Sequence, residues 1–162
     1  MSEDRIIKTD RMRYTKNTAS SRLALLAIVF DVLYFVSIYQ SDVGSYYYSI
    51  IIGASVIYNL IFMLMAFLSS EGVKNYKQPY SWLLIVLGVL QVVRVFILPL
   101  GAHAATTVVK KVTVPIMDNS QFIFVIVCLA ISSGCCIASA VINLIKSYKL
   151  EKHIASLNAN AA

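Results

Sequence analysis

The chain has 162 residues, of which 59% are hydrophobic and 14% are charged, and its formal net charge is +6. An average soluble domain carries about 25% charged and about 45–50% apolar residues, so this composition excludes an ordinary soluble domain and indicates a membrane protein. No basic segment interleaved with aromatic residues stands outside the apolar stretches, so the positive charge does not indicate nucleic-acid binding.

The predicted elements begin with a polar segment of mixed charge, residues 1–22, which is expected to be a loose or weakly helical cytoplasmic arm. Four continuous apolar stretches follow, at residues 23–40, 47–68, 80–100 and 122–145. Roughly 20 helical residues cross a hydrocarbon core of about 30 Å, and continuous stretches of this length do not fit the alternating strands of a β-barrel. The predicted fold class is therefore all-α: a polytopic membrane protein, built as an antiparallel bundle of four transmembrane helices within residues 23–146.

The connections between these helices are short except for one. Gly72 is predicted to end the second helix, and Pro79 to begin the third. Residues 101–121 form a longer external loop, in which the β-branched sequence TTVVKKVTV predicts an extended segment or small hairpin that ends at Pro115. Residues 147–162 form a cytoplasmic tail, expected to continue the fourth helix briefly and then to fray. The first helix is predicted to be capped by Thr18, Ser20 or Ser21. The fourth helix is predicted to be capped by Asn119 or Ser120.

The distribution of Lys and Arg predicts the orientation. Eleven of these residues lie in the segments on the side of the two termini, two lie in the external loop, and Arg94 lies inside the third helix. Positive residues accumulate on the cytoplasmic side, so both termini are predicted to be cytoplasmic, where the basic residues attract anionic lipid headgroups. The frequent Lys, Ile, Asn and Tyr residues favour a bacterial source and hence a bacterial plasma membrane.

Four polar side chains within the apolar stretches define an intramembrane polar layer: Asp31, Asn59, Gln91 and Arg94. At a rise of about 1.5 Å per residue, they lie roughly 12 to 20 Å from the cytoplasmic ends of their helices. A central Asp or Arg costs about 2.5–3.5 kcal/mol during membrane insertion, so each is expected to have a partner or a task. We hypothesise that Asp31 and Arg94 form an ion pair, with Asn59 and Gln91 completing its hydrogen bonds. Such a pair could fix helix packing only, bind or move a solute or proton, or meet a buried polar group of a partner subunit.

The sequence predicts no catalytic, metal or cofactor site. The two histidines are isolated, and the three cysteines fall within the fourth apolar stretch without CxxC spacing, so these side chains are interpreted as surface and packing residues, respectively. The sequence also lacks the glycine-rich phosphate-binding loops and the hydrolase motifs that indicate catalysis. A non-enzymatic function is therefore predicted.

A stripe of small residues on the fourth helix, formed by Ala130, Gly134 and Ala138, predicts close packing with another helix. Together with the small size of the chain, it favours an accessory or structural subunit that packs against a larger membrane protein, such as a transport complex. The alternative is a small oligomeric transporter of a solute or ion, which uses the polar layer around Asp31 and Arg94. The expected partners are the lipid bilayer and either another membrane protein or further copies of this chain.

Overall fold

A computed structural model of the chain describes residues 3–39, 49–104, 106–109 and 112–161. The regular structure within these ranges consists of helices and one short hairpin. The helices are α1 (Glu3–Tyr14), α2 (Thr18–Tyr39), α3 (Ser49–Lys74), α4 (Gln78–Ile97), α5 (Pro99–Ala104) and α6 (Asn119–Ala161). The strands are β1 (Thr106–Val109) and β2 (Val112–Pro115), which pair antiparallel with Val109 opposite Val112. The predicted small hairpin that ends at Pro115 is therefore confirmed.

Four segments of the described chain are long and apolar enough to cross a membrane: Thr18–Tyr39, Gly53–Lys74, Gln78–Ala104 and Asn119–Ala159. Large apolar side chains remain exposed on all four, including Leu33, Leu64, Phe96 and Ile123. Lipid tails can cover such side chains, whereas their exposure to water would be unfavourable over so large an area. The prediction of four long apolar helices is confirmed, and these helices indicate an integral membrane protein in contact with a lipid bilayer.

The long helices extend past the apolar stretches into polar sequence. α2 begins at Thr18 rather than at residue 23, and α3 continues to Lys74 rather than to residue 68. α6 remains helical to Ala161, so the predicted fraying of the tail is wrong for the part that the structure describes. The polar arm contains the 12-residue helix α1. Apolar residues mark the part of a helix that lipid can cover, while backbone hydrogen bonding continues beyond that part.

The turn between α3 and α4 differs from the prediction at Gly72. This residue lies inside the last turns of α3, which ends at Lys74. Its missing side chain leaves room for the ring of Tyr80, with which a Cβ atom would collide. Tyr76 then reverses the chain with a φ of 58°, and Pro79 lies in the first turn of α4 as predicted.

The third predicted helix is divided into two. α4 ends at Ile97, and Pro99 begins the short helix α5. Proline has no backbone N–H, so Pro99 cannot continue the hydrogen bonding of α4, and the helix is interrupted at Leu98 although this residue keeps helical backbone angles. The first part of the predicted external loop is therefore helical.

The helix caps also differ from the predictions. Thr18 is the first residue of α2 rather than its cap, and the predicted caps Ser20 and Ser21 are buried inside the helix. Before α6, the Asp118 carboxylate accepts hydrogen bonds from the Ser120 hydroxyl at 2.6 Å and from the Ser120 backbone N–H at 3.4 Å. A carboxylate at this position also interacts favourably with the helix dipole, which explains why Asp118 acts as the cap.

Consecutive long helices run in opposite directions. At one end, which we call the termini end, the Asn17 N–H before α2 donates to Lys74 O at the end of α3 at 2.8 Å. At the other end, the hairpin end, Gln121 of α6 donates to Ser37 O near the end of α2. α6 packs mainly against α2 and α4, whereas α3 packs against α2 and less extensively against α4.

Two apolar clusters fill the space between the helices. The cluster nearer the hairpin end includes Tyr34, Ile38, Leu98, Val125 and Leu129. The cluster nearer the termini end includes Ala24, Phe62, Leu84, Cys136 and Ala140. On α2, Asp31 lies between Ala24 of the termini-end cluster and Tyr34 of the hairpin-end cluster. Gln91 and Arg94 on α4 lie in the same way between Leu84 and Leu98. The fold therefore places these three residues of the polar layer between the two clusters.

Candidate functional site

Asp31 and Arg94 are in contact at the centre of the long helices. Arg94 Nη1 lies 3.0 Å from Asp31 Oδ1, and the side chains are 5% and 0% exposed, respectively. Asp31 belongs to the buried face of α2, one turn from Ala27 and Tyr34, and Arg94 belongs to the buried face of α4. The helical spacing that keeps these faces away from lipid thus brings the two charges together.

Gln91 extends this contact to a third helix. Its amide nitrogen donates to Asp31 Oδ1 at 2.8 Å and to the Ser132 hydroxyl of α6 at 3.3 Å. The Ser132 hydroxyl in turn donates to Ala27 O of α2 at 2.9 Å. Hydrogen bonds through Asp31, Gln91 and Ser132 therefore connect α2, α4 and α6 at one level, and the predicted role of Gln91 agrees with this geometry.

Two tyrosines complete the surroundings of the guanidinium. The Cζ atom of Arg94 lies 4.3 Å from the ring centroid of Tyr34 on α2 and 4.9 Å from that of Tyr58 on α3. Cation–π contacts of this kind contribute about 2 kcal/mol when the cation is desolvated. Neither tyrosine belongs to the polar layer predicted from the sequence, although Tyr34 follows Asp31 at the three-residue spacing of one helix face.

Asn59 does not complete the hydrogen bonds of the ion pair, so this part of the prediction is wrong. The side chain is buried, at 1% exposure, yet neither its amide nitrogen nor its amide oxygen has a hydrogen-bond partner among the described residues. The prediction used only the depth of Asn59 along α3. Depth fixes the level of a side chain but not its distance from a group on another helix, and α3 packs less extensively against the helix of Arg94.

The ion pair itself is only partly satisfied. Asp31 Oδ2, Gln91 Oε1 and Arg94 Nη2 are buried without a hydrogen-bond partner in the described ranges. On α3, the Ser55 and Tyr58 hydroxyl groups share this condition. A buried polar group without a partner costs about 1–3 kcal/mol, and lipid tails cannot supply the missing bond. The site thus offers both free donors and free acceptors.

A second buried polar cluster lies at the termini end, and we call it the termini-end network: Asn17, Ser20, Ser81, Asn143 and Lys146. The Asn17 amide nitrogen donates to the Ser20 hydroxyl at 2.8 Å and to Asn143 Oδ1 at 3.0 Å. Asn143 Nδ2 donates to the Ser81 hydroxyl at 2.8 Å, and Lys146 Nζ donates to Asn17 Oδ1 at 3.0 Å. The network connects the segment before α2 with α4 and α6.

The termini-end network is not among the sequence predictions, although α6 carries a signal for it. Ser132, Ser139, Asn143 and Ser147 recur at spacings of four to seven residues, which places them on one face of a helix. All four are buried. Polar residues at helical spacing inside an apolar stretch therefore indicated the packed face of α6 better than its small residues did.

The small-residue stripe of α6 does not lie in this packed face. Ala130 and Gly134 are exposed and Ala138 is half-buried. A Cβ atom added at Gly134 would meet nothing within 4 Å. Instead, α6 approaches α4 at Gly88, whose carbonyl accepts a hydrogen bond from the Ser133 hydroxyl at 2.8 Å. The predicted contact of the stripe with another helix is not made within the described chain and stays a prediction for a partner.

The described residues contain no group of three or more His, Cys, Asp and Glu side chains that could hold a metal ion. The three cysteines are free thiols, and Cys128 and Cys136 are buried. The absence of a cofactor and of catalysis stays a prediction from the sequence.

Comparison with known proteins assigns no family to the chain, because no protein-family model matches it and no curated protein or solved structure shows significant similarity.

Proposed function

We propose that this protein is a small membrane transporter that binds a polar solute at the intramembrane polar layer. The observation that supports it is a buried ion pair in which the second carboxylate oxygen, Asp31 Oδ2, and the second terminal guanidinium nitrogen, Arg94 Nη2, lack hydrogen-bond partners in the described chain. The neighbouring Gln91 Oε1 and both amide atoms of Asn59 lack them as well. A bound solute would supply these bonds.

Energetics favour this interpretation over a layer that only fixes helix packing. Each unpartnered polar group in a lipid-covered interior costs about 1–3 kcal/mol, and ionised groups cost more. A site that must bind and release a solute has to keep such groups available, whereas a packing device gains stability by pairing them all. The termini-end network pairs its amides fully.

In this proposal the chain is an integral protein of a bacterial plasma membrane with both termini in the cytoplasm. The bias of eleven basic residues against two supports the orientation. The same basic residues would attract anionic lipid headgroups. A single copy of four helices offers little room for a continuous path, so the transporting unit is proposed to be an oligomer.

Uptake of a solute mixture into vesicles tests the transport proposal. The purified protein is reconstituted in lipid vesicles and incubated with a defined mixture of amino acids, polyols, amides and small ions, and the vesicle contents are measured by mass spectrometry. We expect at least one solute to accumulate with the wild type and with Ser69→Ala, which removes a buried hydroxyl of α3 outside the polar layer. The same solute should not accumulate with Asn59→Leu. Equal contents in protein-containing and empty vesicles would refute transport.

A second candidate is the accessory subunit, and the exposed stripe of α6 favours it. An exposed helical Gly134 has no intramolecular packing role, since no described atom lies near its Cβ position. Glycine lowers helix stability by about 1 kcal/mol relative to alanine, a cost that close packing with a partner helix would offset.

Gentle detergent extraction with an affinity tag tests the second candidate. Gly134→Leu should abolish co-purification of a stoichiometric membrane protein. Gly53→Leu is the matched control, because a Cβ at Gly53 on α3 also meets nothing within 4 Å. Recovery of the chain alone, or equal loss with both variants, would count against the subunit function.

A further inference from the structure

We propose that the solute of the polar layer is small and neutral overall, that it carries both a hydrogen-bond donor and an acceptor, and that the half of α3 nearer the hairpin end moves to admit it. A zwitterion of the amino-acid type is the fullest match. This inference rests on the proposed transport function and specifies its substrate class and its moving element.

The charge of the site argues for a neutral solute. Asp31 and Arg94 contribute one negative and one positive charge at a separation of 3.0 Å, so the pair is neutral overall. A cation would be repelled by Arg94 and an anion by Asp31, and either would add an uncompensated charge to a low-dielectric interior. A solute without net charge avoids this penalty.

The free atoms of the site argue for a solute that both donates and accepts hydrogen bonds. Asp31 Oδ2 and Gln91 Oε1 are free acceptors, and Arg94 Nη2 is a free donor. The amide of Asn59 offers one donor group and one acceptor group. An ammonium group facing the carboxylate and a carboxylate facing the guanidinium would form charge-assisted hydrogen bonds with both, which are about twice as strong as neutral ones.

Helix α3 differs from the other long helices in how it is held. Side-chain hydrogen bonds connect α2, α4 and α6 to one another through Gln91, Ser132 and Ser133. In the described chain, by contrast, the hydrogen bonds that α3 side chains form lie within α3, from Ser70 to Phe67 O and from Lys74 to Glu71. Its buried Ser55 and Asn59 have no polar partner there. Movement of this part of α3 would therefore break apolar contacts and the cation–π contact of Tyr58 with Arg94, but no described interhelical hydrogen bond.

The end of α3 at the termini end is anchored and provides a pivot. Lys74 O accepts a hydrogen bond from the Asn17 N–H at 2.8 Å. Gly72 packs directly against the ring of Tyr80 at the start of α4. The Ser147 hydroxyl of α6 donates to Tyr76 O in the turn at 2.9 Å. With this end fixed, displacement increases toward the hairpin end, which opens the side of the polar layer that the Tyr58 ring of α3 covers next to Arg94.

Ligand-dependent stability tests the substrate class. The protein in lipid nanodiscs is heated with glycine, glycerol, methylammonium or acetate in turn. Glycine should raise the unfolding temperature by about 2–4 °C at saturation, with a smaller rise for glycerol and none for the two charged probes. Asn59→Leu should abolish the rise, and Ser69→Ala should keep it.

The outcomes separate this inference from the transport proposal. A rise with methylammonium alone or with acetate alone would overturn the neutral-solute inference while leaving solute binding at the polar layer intact. No rise with any of the four probes would overturn the inference, and the uptake assay with the broad mixture would then decide transport independently.

Thiol labelling tests the movement of α3. Ser55 and Ser69 are both buried on α3, at 8% and 0% exposure, but Ser69 lies nearer the pivot. In a background with the three native cysteines replaced by alanine, Ser55→Cys should react with a water-soluble maleimide at least about tenfold faster than Ser69→Cys, because labelling follows local opening. Glycine should slow the labelling of Ser55→Cys. Equal slow rates at both positions would refute the movement.

Discussion

The chain builds two buried polar clusters from the same kinds of side chain but completes the hydrogen bonds of only one. Asn143 in the termini-end network and Asn59 in the polar layer are both asparagines with 0% and 1% exposure. Asn143 uses its oxygen and its nitrogen, with partners that include Asn17 and Ser81. Asn59 uses neither within the described chain. The same helices can thus satisfy a buried amide, so the free amide of Asn59 is not a general limit of the fold, although the Ser69 hydroxyl outside the polar layer also lacks a partner among the described residues.

Both clusters connect helices, but only the polar layer keeps unpartnered groups that the proposed solute would bind. In the termini-end network, removing a partner breaks existing bonds. In the polar layer, removing an unpartnered group removes a desolvation cost. Substitutions of matched residues in the two regions should therefore have opposite effects on stability, and the ion pair should show the largest effect of all.

The largest effect is expected for Arg94→Leu. This change leaves the Asp31 carboxylate buried at 0% exposure without its opposite charge. Breaking a buried pair by removal of one partner costs about 3–5 kcal/mol, whereas replacing both partners with apolar residues is often neutral or stabilising. The free energy of unfolding, measured by denaturation in mixed micelles, should fall by that amount in Arg94→Leu and largely recover in Asp31→Leu/Arg94→Leu.

The double variant is the control for lost packing around Arg94, because it keeps the leucine at that position. If the double variant were as unstable as Arg94→Leu, the loss would come from the cation–π contacts with Tyr34 and Tyr58 rather than from the ion pair.

The comparison of the two asparagines gives the next largest effect. Asn143→Leu removes the acceptor of Asn17 Nδ2 and the donor to the Ser81 hydroxyl, so it should lower the free energy of unfolding by about 2–3 kcal/mol. Asn59→Leu breaks no described hydrogen bond and should leave stability unchanged or raise it when no solute is present. Unfolding in mixed micelles measures both. Equal destabilisation would mean that Asn59 has a partner and that the two regions do not differ.

Much of the fold follows from composition, because a bilayer leaves few alternatives for long apolar stretches. The four apolar helices and the hairpin could be predicted for that reason. Most helix ends could not, although Pro79 correctly marked the start of α4. Polar sequence carries only local signals, so the prediction for the arm was a loose or weakly helical segment rather than the 12-residue helix α1. For the same reason, the tail was predicted to fray rather than to stay helical to Ala161. The break of the third apolar helix at Leu98 had a local signal, because Pro99 follows. The apolar sequence continues past Pro99, however, so the prediction extended one helix across it.

The part of the candidate site that could be predicted is the ion pair, because burying a charge in a membrane leaves few alternatives. A central carboxylate and a central guanidinium cannot both face lipid, so the contact of Asp31 with Arg94 was foreseen. The position of Asn59 was not, since helical periodicity gives the face of a residue but not the distance to the next helix. The termini-end network was missed because asparagines and serines near helix ends are usually solvated, and only their spacing along α6 indicated otherwise.

Gly88 on α4 and Gly134 on α6 differ in backbone packing in the same way, because only Gly88 lies against another helix. A Cβ added at Gly88 of α4 would lie 2.9 Å from Ile137 Cγ1 and 3.3 Å from Ser133 O, both on α6. Gly88→Ala should therefore lower the free energy of unfolding by about 1–2 kcal/mol through overpacking next to the polar layer. Gly134→Ala meets no described atom and should raise helix stability by up to about 1 kcal/mol. Unfolding of the monomer in micelles measures both, and a larger loss for Gly134→Ala would place the packed face of α6 on the other side.

The smallest effect concerns Asp118, which accepts hydrogen bonds outside the apolar helices. Hydrogen bonds from the Ser120 hydroxyl and backbone N–H lower the pKa of the exposed Asp118 below its ordinary value of 3.8. A carboxyl with a lowered pKa in the folded state contributes stability above the unfolded value and loses that contribution as the pH falls through the folded value. Asp118→Asn keeps an oxygen that can accept from Ser120 but removes the titration. The stability difference between wild type and Asp118→Asn should therefore be constant at neutral pH and shrink below about pH 4. Because Asp118 is in water, the change should be small beside that of Arg94→Leu. A difference independent of pH would show that the carboxylate charge does not support the start of α6.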